Sequence, residues 1–591
     1  MSNESEPLKL FKNKVSSKLE DIYPDAGKDK LSGITGQIIE RVEQTRTGVQ
    51  PKDSELWSAR DVVLISYANN IYSDDAHPLA TFEEFYQKRL ADFISIVHFL
   101  PFFPSTSDDG FSVSDYYQVD EAYGDWDDIK TITSHTTVMA DVVLNHCSVQ
   151  SEWFKRFASG DPDFREFFAI IPEGFDTSNV IRPRSSSLDC PAVVDGQKVD
   201  LWCTFSHDQV DLNFKNPMVL VSFVDAILFY IRNGVRVFRL DAIAFLWKNS
   251  GATGVNEPEV HDIVRLFRLI VDELDCGAIL LTETNLPIHE NVSYFGNCNE
   301  AHWIYNFTLP PLVLYALLFG DSGPMRAWSM SLPPAQPQTA YLNFLSSHDG
   351  IGLRPVEGIL DEQKLGMMLE RLRENGSLFS WRDVSHGQRK VYEANTTFID
   401  ALGQTDTDPS GQFVMERYLA AHCIMFAFEG VPAIYFNSLF ATGNFHEGVK
   451  ETRHNRTINR LKWKQDDLEG ILDASDTLAA QAYAEIKRVT GIRMGQDAFH
   501  PNATQYTLHL GHEIFAFWRQ SINRDQSIFC ISNVTDEEKS VCLADINLIS
   551  IDQWQDLISG EHYQDIGEHL KLRPYQTVWI SNKSTNETSE S

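Results

Sequence analysis

The 591-residue chain is poor in basic residues: 50 Lys and Arg stand against 83 Asp and Glu, a formal net charge of −33 at pH 7. Such a surface repels other polyanions, which argues against nucleic acid or an anionic membrane as a partner. A solvated acidic surface with no specific role accounts for the charge, and it is compatible with a salt-rich cytoplasm. Cysteine is sparse and scattered. Cys147, Cys190, Cys203, Cys276, Cys298, Cys423, Cys530 and Cys542 form no C-x-x-C pair and no dense framework. They read as reduced thiols of a cytoplasmic protein rather than a disulfide scaffold. No apolar run reaches the roughly 18 residues of a membrane span. The start, M-S-N-E-S-E-P, has neither a basic nor an apolar region, so no signal peptide is expected. No fixed-period repeat is visible. The remaining partner class is small molecules, with the chain a monomer or a homodimer.

What is present is a strand–helix rhythm. Mostly apolar runs of strand length occur at 61–68, 94–100, 138–144, 235–240, 278–282, 302–307, 341–345 and 432–436. A run without polar alternation suits a strand buried on both faces. Amphipathic or apolar helical stretches lie between several of them, at 81–93, 126–134, 218–233, 257–274, 309–318 and 413–428. Eight strands in this order predict a (β/α)8 barrel, an α/β fold. Residues 160–211 break the rhythm and read as an irregular insertion after the third strand, and a second long loop is expected over 353–410. Helical spacing before residue 56 predicts an N-terminal extension packed on the barrel. From about 506 the pattern alternates in short strands, which predicts an all-β C-terminal domain. The expected division is 1–56 extension, 57–159 and 212–500 barrel, 160–211 insertion, 501–583 β domain, and 584–591 a frayed tail.

Three of the strand-like runs deliver carboxylates: V-R-V-F-R-L-D-A with Asp241, A-I-L-L-T-E-T-N with Glu283, and Y-L-N-F-L-S-S-H-D-G with His348 and Asp349. In a parallel barrel the C-terminal strand ends share one face, where reacting groups gather. Two carboxylates ~5–5.5 Å apart suit a retaining glycosyl transfer, one as nucleophile and one as acid/base. Arg239 lies two residues before Asp241, on the same strand face. Its guanidinium can hold Asp241 ionised, while the apolar strand before Glu283 can raise its pKa. Taken singly, R-x-D also suits a structural salt bridge and S-H-D a loop turn. Asp141, Asn145 and His146 flank the end of the third strand. His146 reads as a sugar ligand beside the other sites, or as a satisfied loop histidine without them. Asp108 in S-D-D-G-F reads as turn chemistry or as a further pocket residue.

These motifs resemble glycoside hydrolase family 13, the α-amylase clan. They are D-V-V-L-N-H at 141–146, V-R-V-F-R-L-D-A at 235–242, Glu283 and His348-Asp349, and the resemblance covers roughly 57–583. It implies that Asp241 is the nucleophile, Glu283 the acid/base and Asp349 a transition-state stabiliser. His146, Arg239 and His348 are implied to ring the glucose. The chain is more specifically similar to the sucrose phosphorylase subfamily. The stretches that carry this are P-F-F-P…D-D-G-F (101–111), R-P-R (182–184), F-T-L-P-P-L (307–312), S-H-D-G-I-G (347–352) and V-Y-E-A-N-T-T-F (391–398). The likeness implies phosphorolysis of an α-glucoside with inorganic phosphate as co-substrate, and no metal or organic cofactor. Asp108 and Arg456 match positions that close on glucose, and Arg184 matches an arginine that meets phosphate or acceptor.

Three positions depart from the sucrose phosphorylases: Phe245 stands for Tyr, Asn285 for His and Glu393 for Gln. With Arg184, Asp189 and Tyr392 they form the expected phosphate and acceptor site. The T-E-T-N form is similar to the branch acting on sucrose 6-phosphate, glucosylglycerate and glucosylglycerol. If Glu393 and Asp189 face the acceptor, they repel anions and favour a neutral polyol. The expected substrate is therefore 2-O-α-D-glucosylglycerol, with glucosylglycerate, sucrose 6-phosphate or sucrose as alternatives. A hydrolase or transglucosidase of the same family is the remaining enzymatic alternative.

Overall fold

The computed structural model describes residues 5–52, 54–183, 186–384, 388–546, 554–564 and 567–583. Eight parallel strands close a barrel: β1 (Val63–Ser66), β2 (Ile96–Phe99), β3 (Thr137–Val143), β4 (Val237–Asp241), β5 (Ile279–Thr282), β6 (Trp303–Tyr305), β7 (Ala340–Asn343) and β8 (Val431–Tyr435). They pair in chain order and β8 returns to β1. Apart from the first residue of β3, every strand residue is buried. The lumen is filled and helices cover the outside, so a continuous apolar run is what each strand requires.

Two helices precede the barrel, α1 (Glu6–Ile22) and α2 (Lys28–Arg46). Their buried stripes, Phe11, Val15, Leu19 and Ile22, then Leu31, Ile34, Ile38 and Val42, recur at three- and four-residue spacing. They lie against two helices that cover the barrel, α3 (Pro217–Arg232) and α4 (Pro258–Leu274). Tyr23 Oη donates to the Phe214 carbonyl at 2.9 Å, and Arg46 Nη2 to Glu273 Oε1 at 2.7 Å. These two helices thus pack on the outside of the barrel.

Two stretches are more ordered than the sequence reading predicts. Within 160–211, Asp189–Val194 and Gln197–Trp202 form a hairpin, and Ile170–Ile171 adds a third strand. The two-residue turn Asp195-Gly196 has φ of 49° and 74°, the primed geometry that matches strand twist. The D-G pair in V-V-D-G-Q-K-V was the available signal. Within 353–410 there is a helix, Glu362–Glu374, capped by Asp361, followed by the antiparallel strands Leu378–Val384 and Gln388–Asn395. Only Met368 and Leu372 of that helix are buried, so its apolar stripe is too thin to stand out.

The C-terminal region forms a six-stranded antiparallel sheet, in agreement with the alternating pattern. Two fully buried arginines fasten this end of the chain to the barrel. Arg493 Nε donates to the Phe426 carbonyl at 2.8 Å, and Arg519 Nη1 to the Ala427 carbonyl at 2.7 Å. Both carbonyls lie just before β8, at the N-terminal end of the strands. The opposite, C-terminal rim is left open for a site. Among the described residues no helix is long and apolar enough to cross a membrane.

Glu429 lies in the same junction, 6% exposed, accepting the Ala335 N–H at 2.7 Å. Burial pushes its carboxyl up from 4.5 to about 6, against the pull of that N–H and of Arg519. A raised folded-state pKa contributes stability at pH values below the unfolded pKa, and that contribution is lost as pH rises through 6. Relative to Glu429→Gln, the native protein should therefore lose about 2 kcal/mol between about pH 4.5 and about pH 7. Denaturant unfolding of both proteins across that range checks the sign.

Candidate active site

The register of three adjacent strands builds the floor of the site. Arg239 on β4 pairs with Asp141 on β3, and Leu240 with Thr282 on β5. The next residues along, Asp241 and Glu283, therefore emerge side by side at the rim. Arg239 Nη1 donates to Asp241 Oδ1 at 2.6 Å and also to Asp141. From β2, His98 Nε2 reaches Asp141 Oδ2 at 2.7 Å. His98, Asp141, Arg239 and Asp241 are all buried, so this is a chain of charge-assisted contacts inside the barrel mouth. Burial pushes Asp141 up, but Arg239 and His98 outweigh it and hold it below the usual carboxylate range. Burial depresses His98 in turn, so it stays neutral and donates.

Asp241 ends β4, and Ala242 after it takes a left-handed conformation at φ 53°. This costs a residue with a Cβ roughly 1–2 kcal/mol. It turns the Ala242 N–H onto Glu283 Oε2 at 3.1 Å, tying the second carboxylate to the peptide next to the first. Enclosure in the pocket pushes both carboxyls up, with Glu283 adding to the rise at Asp241 and Asp349 to the rise at Glu283. Asp241 alone has a hydrogen-bonded guanidinium. The proton of this pair therefore rests on Glu283, leaving Asp241 anionic and Glu283 an acid.

The third acid is held from another direction. Asp349 lies beyond β7 on a loop pinned by residues that follow β8. Asn459 Nδ2 donates to the Asp349 carbonyl at 2.8 Å, and Arg460 Nε to the His348 carbonyl at 2.9 Å. Enclosure would push the Asp349 carboxyl up, but the guanidiniums of Arg456 and Arg460 prevail and keep it well below the usual range. Arg456 donates to Asp349 from one nitrogen, and to Glu393 Oε1 and Oε2 at 2.9 and 3.0 Å from two others. His348 stacks on Phe111 with ring centroids 5.1 Å apart, and burial lowers its pKa to about 3, so it is neutral.

One pocket brings together Asp108, His146, Arg239, Asp241, Glu283, Asn285, His348, Asp349, Tyr392, Glu393 and Arg456 of the expected set. His146 is buried, with Nε2 3.1 Å from the Phe111 carbonyl and 3.2 Å from Gln209 Nε2. Gln209, which the sequence reading missed, also donates to Asp108 Oδ2 at 3.1 Å. Asp108 and Asp109 both have positive φ, and a Cβ at Gly110 would lie 2.6 Å from the Pro101 carbonyl. Such a strained turn over a pocket is where backbone strain accompanies function.

Asp189 stands elsewhere and Glu393 is differently engaged. Asp189 is exposed at the start of its hairpin strand, opposite Trp202, and does not line the pocket. The hairpin that the sequence reading treated as irregular loop carries it outward. Arg184 lies outside the described residues. Glu393 does line the pocket but is no free carboxylate. It is 2% exposed, and both its oxygens accept from Arg456.

Phe245 sits in a second cavity that shares Pro183, Phe205, Glu283, Asn285 and Tyr392 with the first. Its ring meets Phe205 edge to face at 5.7 Å. Behind it, Lys248 Nζ bonds the Phe245 carbonyl at 2.7 Å and Asn145 Oδ1 at 2.8 Å, and pairs with buried Asp211 at 2.8 Å. Asn285 Nδ2 donates to Tyr392 Oη at 3.4 Å, and a Cβ at Gly352 would lie 2.9 Å from that same nitrogen. Three arginines complete this cavity: Arg182, Arg354 and Arg382. The sequence reading met Arg182 only within R-P-R (182–184) and named neither Arg354 nor Arg382, since isolated arginines carry no spacing signal.

The buried Arg239 bridge is testable by itself. Arg239→Met leaves two buried carboxylates without their cation and should cost about 3–5 kcal/mol. Arg239→Lys should recover only part, because an ammonium lacks the planar fork. Thermal and denaturant midpoints of the two variants measure this.

A family profile described as alpha amylase, catalytic domain, matches residues 88–322. The glucosylglycerate phosphorylase of Escherichia coli (strain K12) is 36% identical over 572 residues, 96% of this chain and 100% of that protein. The glucosylglycerol phosphorylase of Marinobacter adhaerens is 31% identical over 395 residues, 64% of this chain and 78% of that one. The crystal structure of sucrose 6F-phosphate phosphorylase from Thermoanaerobacter thermosaccharolyticum shares the fold, with a TM-score of 0.70 at 22% identity over 87% of this chain and 98% of that one. Matched along nearly its whole length, the chain belongs to the α-amylase family, glycoside hydrolase family 13, among its sucrose phosphorylase-like members.

Proposed function

We propose that the protein is a retaining α-glucoside phosphorylase that converts glucosylglycerate and inorganic phosphate to α-glucose 1-phosphate and glycerate. Asp241, anionic against Arg239, attacks the anomeric carbon. Glu283, carrying the proton of the pair, gives it to the departing glycerate oxygen. Asp349, kept ionised by Arg456 and Arg460, faces the positive charge that develops on the sugar ring. Phosphate then attacks the anomeric carbon from the face that glycerate left, opposite Asp241, gives its proton to Glu283 and releases Asp241 as the carboxylate, with retention overall. Asp108, His146, His348 and Arg456 line the glucose end of the pocket, and Phe245, Asn285 and Tyr392 the acceptor end. Phosphate is the co-substrate, and the protein's own carboxylates carry the proton and the glucosyl group.

The observation that carries the choice of acceptor is the arginine-lined cavity adjoining Glu283 and Asn285. A leaving group protonated by Glu283 departs toward it, and guanidinium forks suit carboxylate and phosphate alike. The preference for glycerol expected from the sequence rested on Glu393 and Asp189 as free carboxylates. Glu393 is neutralised by Arg456 and Asp189 is outside the pocket, so that premise is absent. The 36% identity to a glucosylglycerate phosphorylase supports the same choice over the glucosylglycerol relative, which matches a shorter part of the chain.

Initial rates of phosphorolysis on glucosylglycerate, glucosylglycerol, sucrose and sucrose 6-phosphate test this reading. Glucosylglycerate should lead glucosylglycerol in kcat/KM by about 10–100-fold, the worth of one hydrogen bond to a charged group. Glycerol as the best acceptor in the reverse direction from glucose 1-phosphate would overturn it. Asp241→Ala should reduce turnover to background. Glu283→Gln should lose glucosylglycerate cleavage yet still release fluoride from α-glucosyl fluoride, whose leaving group needs no proton. The raised Glu283 pKa predicts that kcat/KM falls on the alkaline side as this carboxyl ionises, which a pH–rate profile reads directly.

A further inference from the structure

The three arginines of the acceptor cavity are not equivalent. Arg382 Nη2 is paired with Glu357 Oε1 at 2.6 Å, so its charge is balanced. Arg182 Nη2 is spent on backbone carbonyls, those of Cys203 at 2.9 Å and Ser187 at 3.1 Å, and holds the insertion in place. Arg354 is half-buried and lines the cavity, and its guanidinium has no hydrogen bond or ion pair among the described residues. A guanidinium in a largely enclosed cavity with no counter-charge is poorly compensated, and an anion entering there supplies what the protein does not.

Its backbone is firmly placed. Arg354 opens a single 3-10 turn, Arg354–Val356, with Pro355 fixing the next φ. The Leu353 N–H donates to the Tyr392 carbonyl at 3.0 Å, and Ile351 and Gly352 pair with Ala394 and Glu393. The same segment thus joins Asp349, which faces the sugar, to Arg354, which faces the acceptor. Its far end, Glu357, is held by Arg382.

Resting on the glucosylglycerate reading, we propose that Arg354 is the specificity-determining residue of the acceptor side, binding the carboxylate of glycerate in one half-reaction and phosphate in the other. Both are oxyanions that a planar fork can hold through two oxygens. One cation serving both means that phosphate and glycerate exclude each other, so each glucosyl transfer waits for the previous acceptor to leave. It also explains how one neutral polyol-sized space serves two anions: the charge is recognised at its edge, while Asn285 and Tyr392 face the hydroxyl groups.

The test uses α-glucosyl fluoride as donor, with glycerate, phosphate and glycerol as competing acceptors, in the native protein, Arg354→Ala and Arg354→Lys. In Arg354→Ala the ratios of kcat/KM for glycerate over glycerol and for phosphate over glycerol should both fall by about 10–100-fold. Arg354→Lys should restore part of each ratio. These are ratios within one variant, so a general loss of folding does not imitate them. Unchanged ratios, or equal losses for all three acceptors, would overturn the assignment. If the native protein transfers glucose to phosphate but not to glycerate, the substrate reading fails, and the phosphate ratio alone decides the role of Arg354: a fall supports it and no change overturns it.

Discussion

The contact on which the site depends is the bridge from Arg239 to Asp141 and Asp241. A guanidinium 3% exposed inside a barrel is tolerable only where carboxylates surround it, and those carboxylates are tolerable only beside the guanidinium. The β3–β4 register puts them within reach, and His98 from β2 completes the far side. Without Arg239, burial and neighbouring acids would favour the protonated form of Asp241. One buried network thus links the packing of three strands to the charge state of Asp241.

From that fixed point the three acids take different states for physical reasons. Asp241 has the buried cation. Glu283 is enclosed and faces Asp349, has no guanidinium hydrogen-bonded to it, and is pushed up despite the pull of Arg239 and of the Ala242 N–H. Asp349 has two arginines from the segment after β8, and stays ionised. A double displacement needs this division: an anion to attack, an acid to protonate, and a second anion to face developing positive charge. The acceptor side shows the complementary arrangement. On a chain of net charge −33, three guanidiniums lining one small cavity are a local reversal of sign, favourable to an anion.

Much of this was legible along the chain. Each barrel strand is a continuous apolar run because both its faces are buried, and that pattern is local. Asp241, Glu283, His348 and Asp349 follow three of those runs, so their convergence follows from the barrel alone. His98 had a signal too, a histidine inside the otherwise apolar run at 94–100, and the insertion hairpin had its Asp195-Gly196 turn. The arginines at 354 and 382 had none, and Arg182 only its place in R-P-R, until the fold lines them around one cavity.

The sequence by itself determined the barrel, the three acids and the class of glucosyl chemistry, because strand periodicity and short motifs depend on neighbours in the chain. The tertiary structure alone decided which charges are free. Glu393 reads as an anion facing the acceptor until Arg456, 63 residues away, takes both its oxygens. Arg354 reads as one arginine among many until its two cavity neighbours are seen to be engaged. Pairing between side chains from distant segments sets the local electrostatics, and no spacing within a single stretch records it.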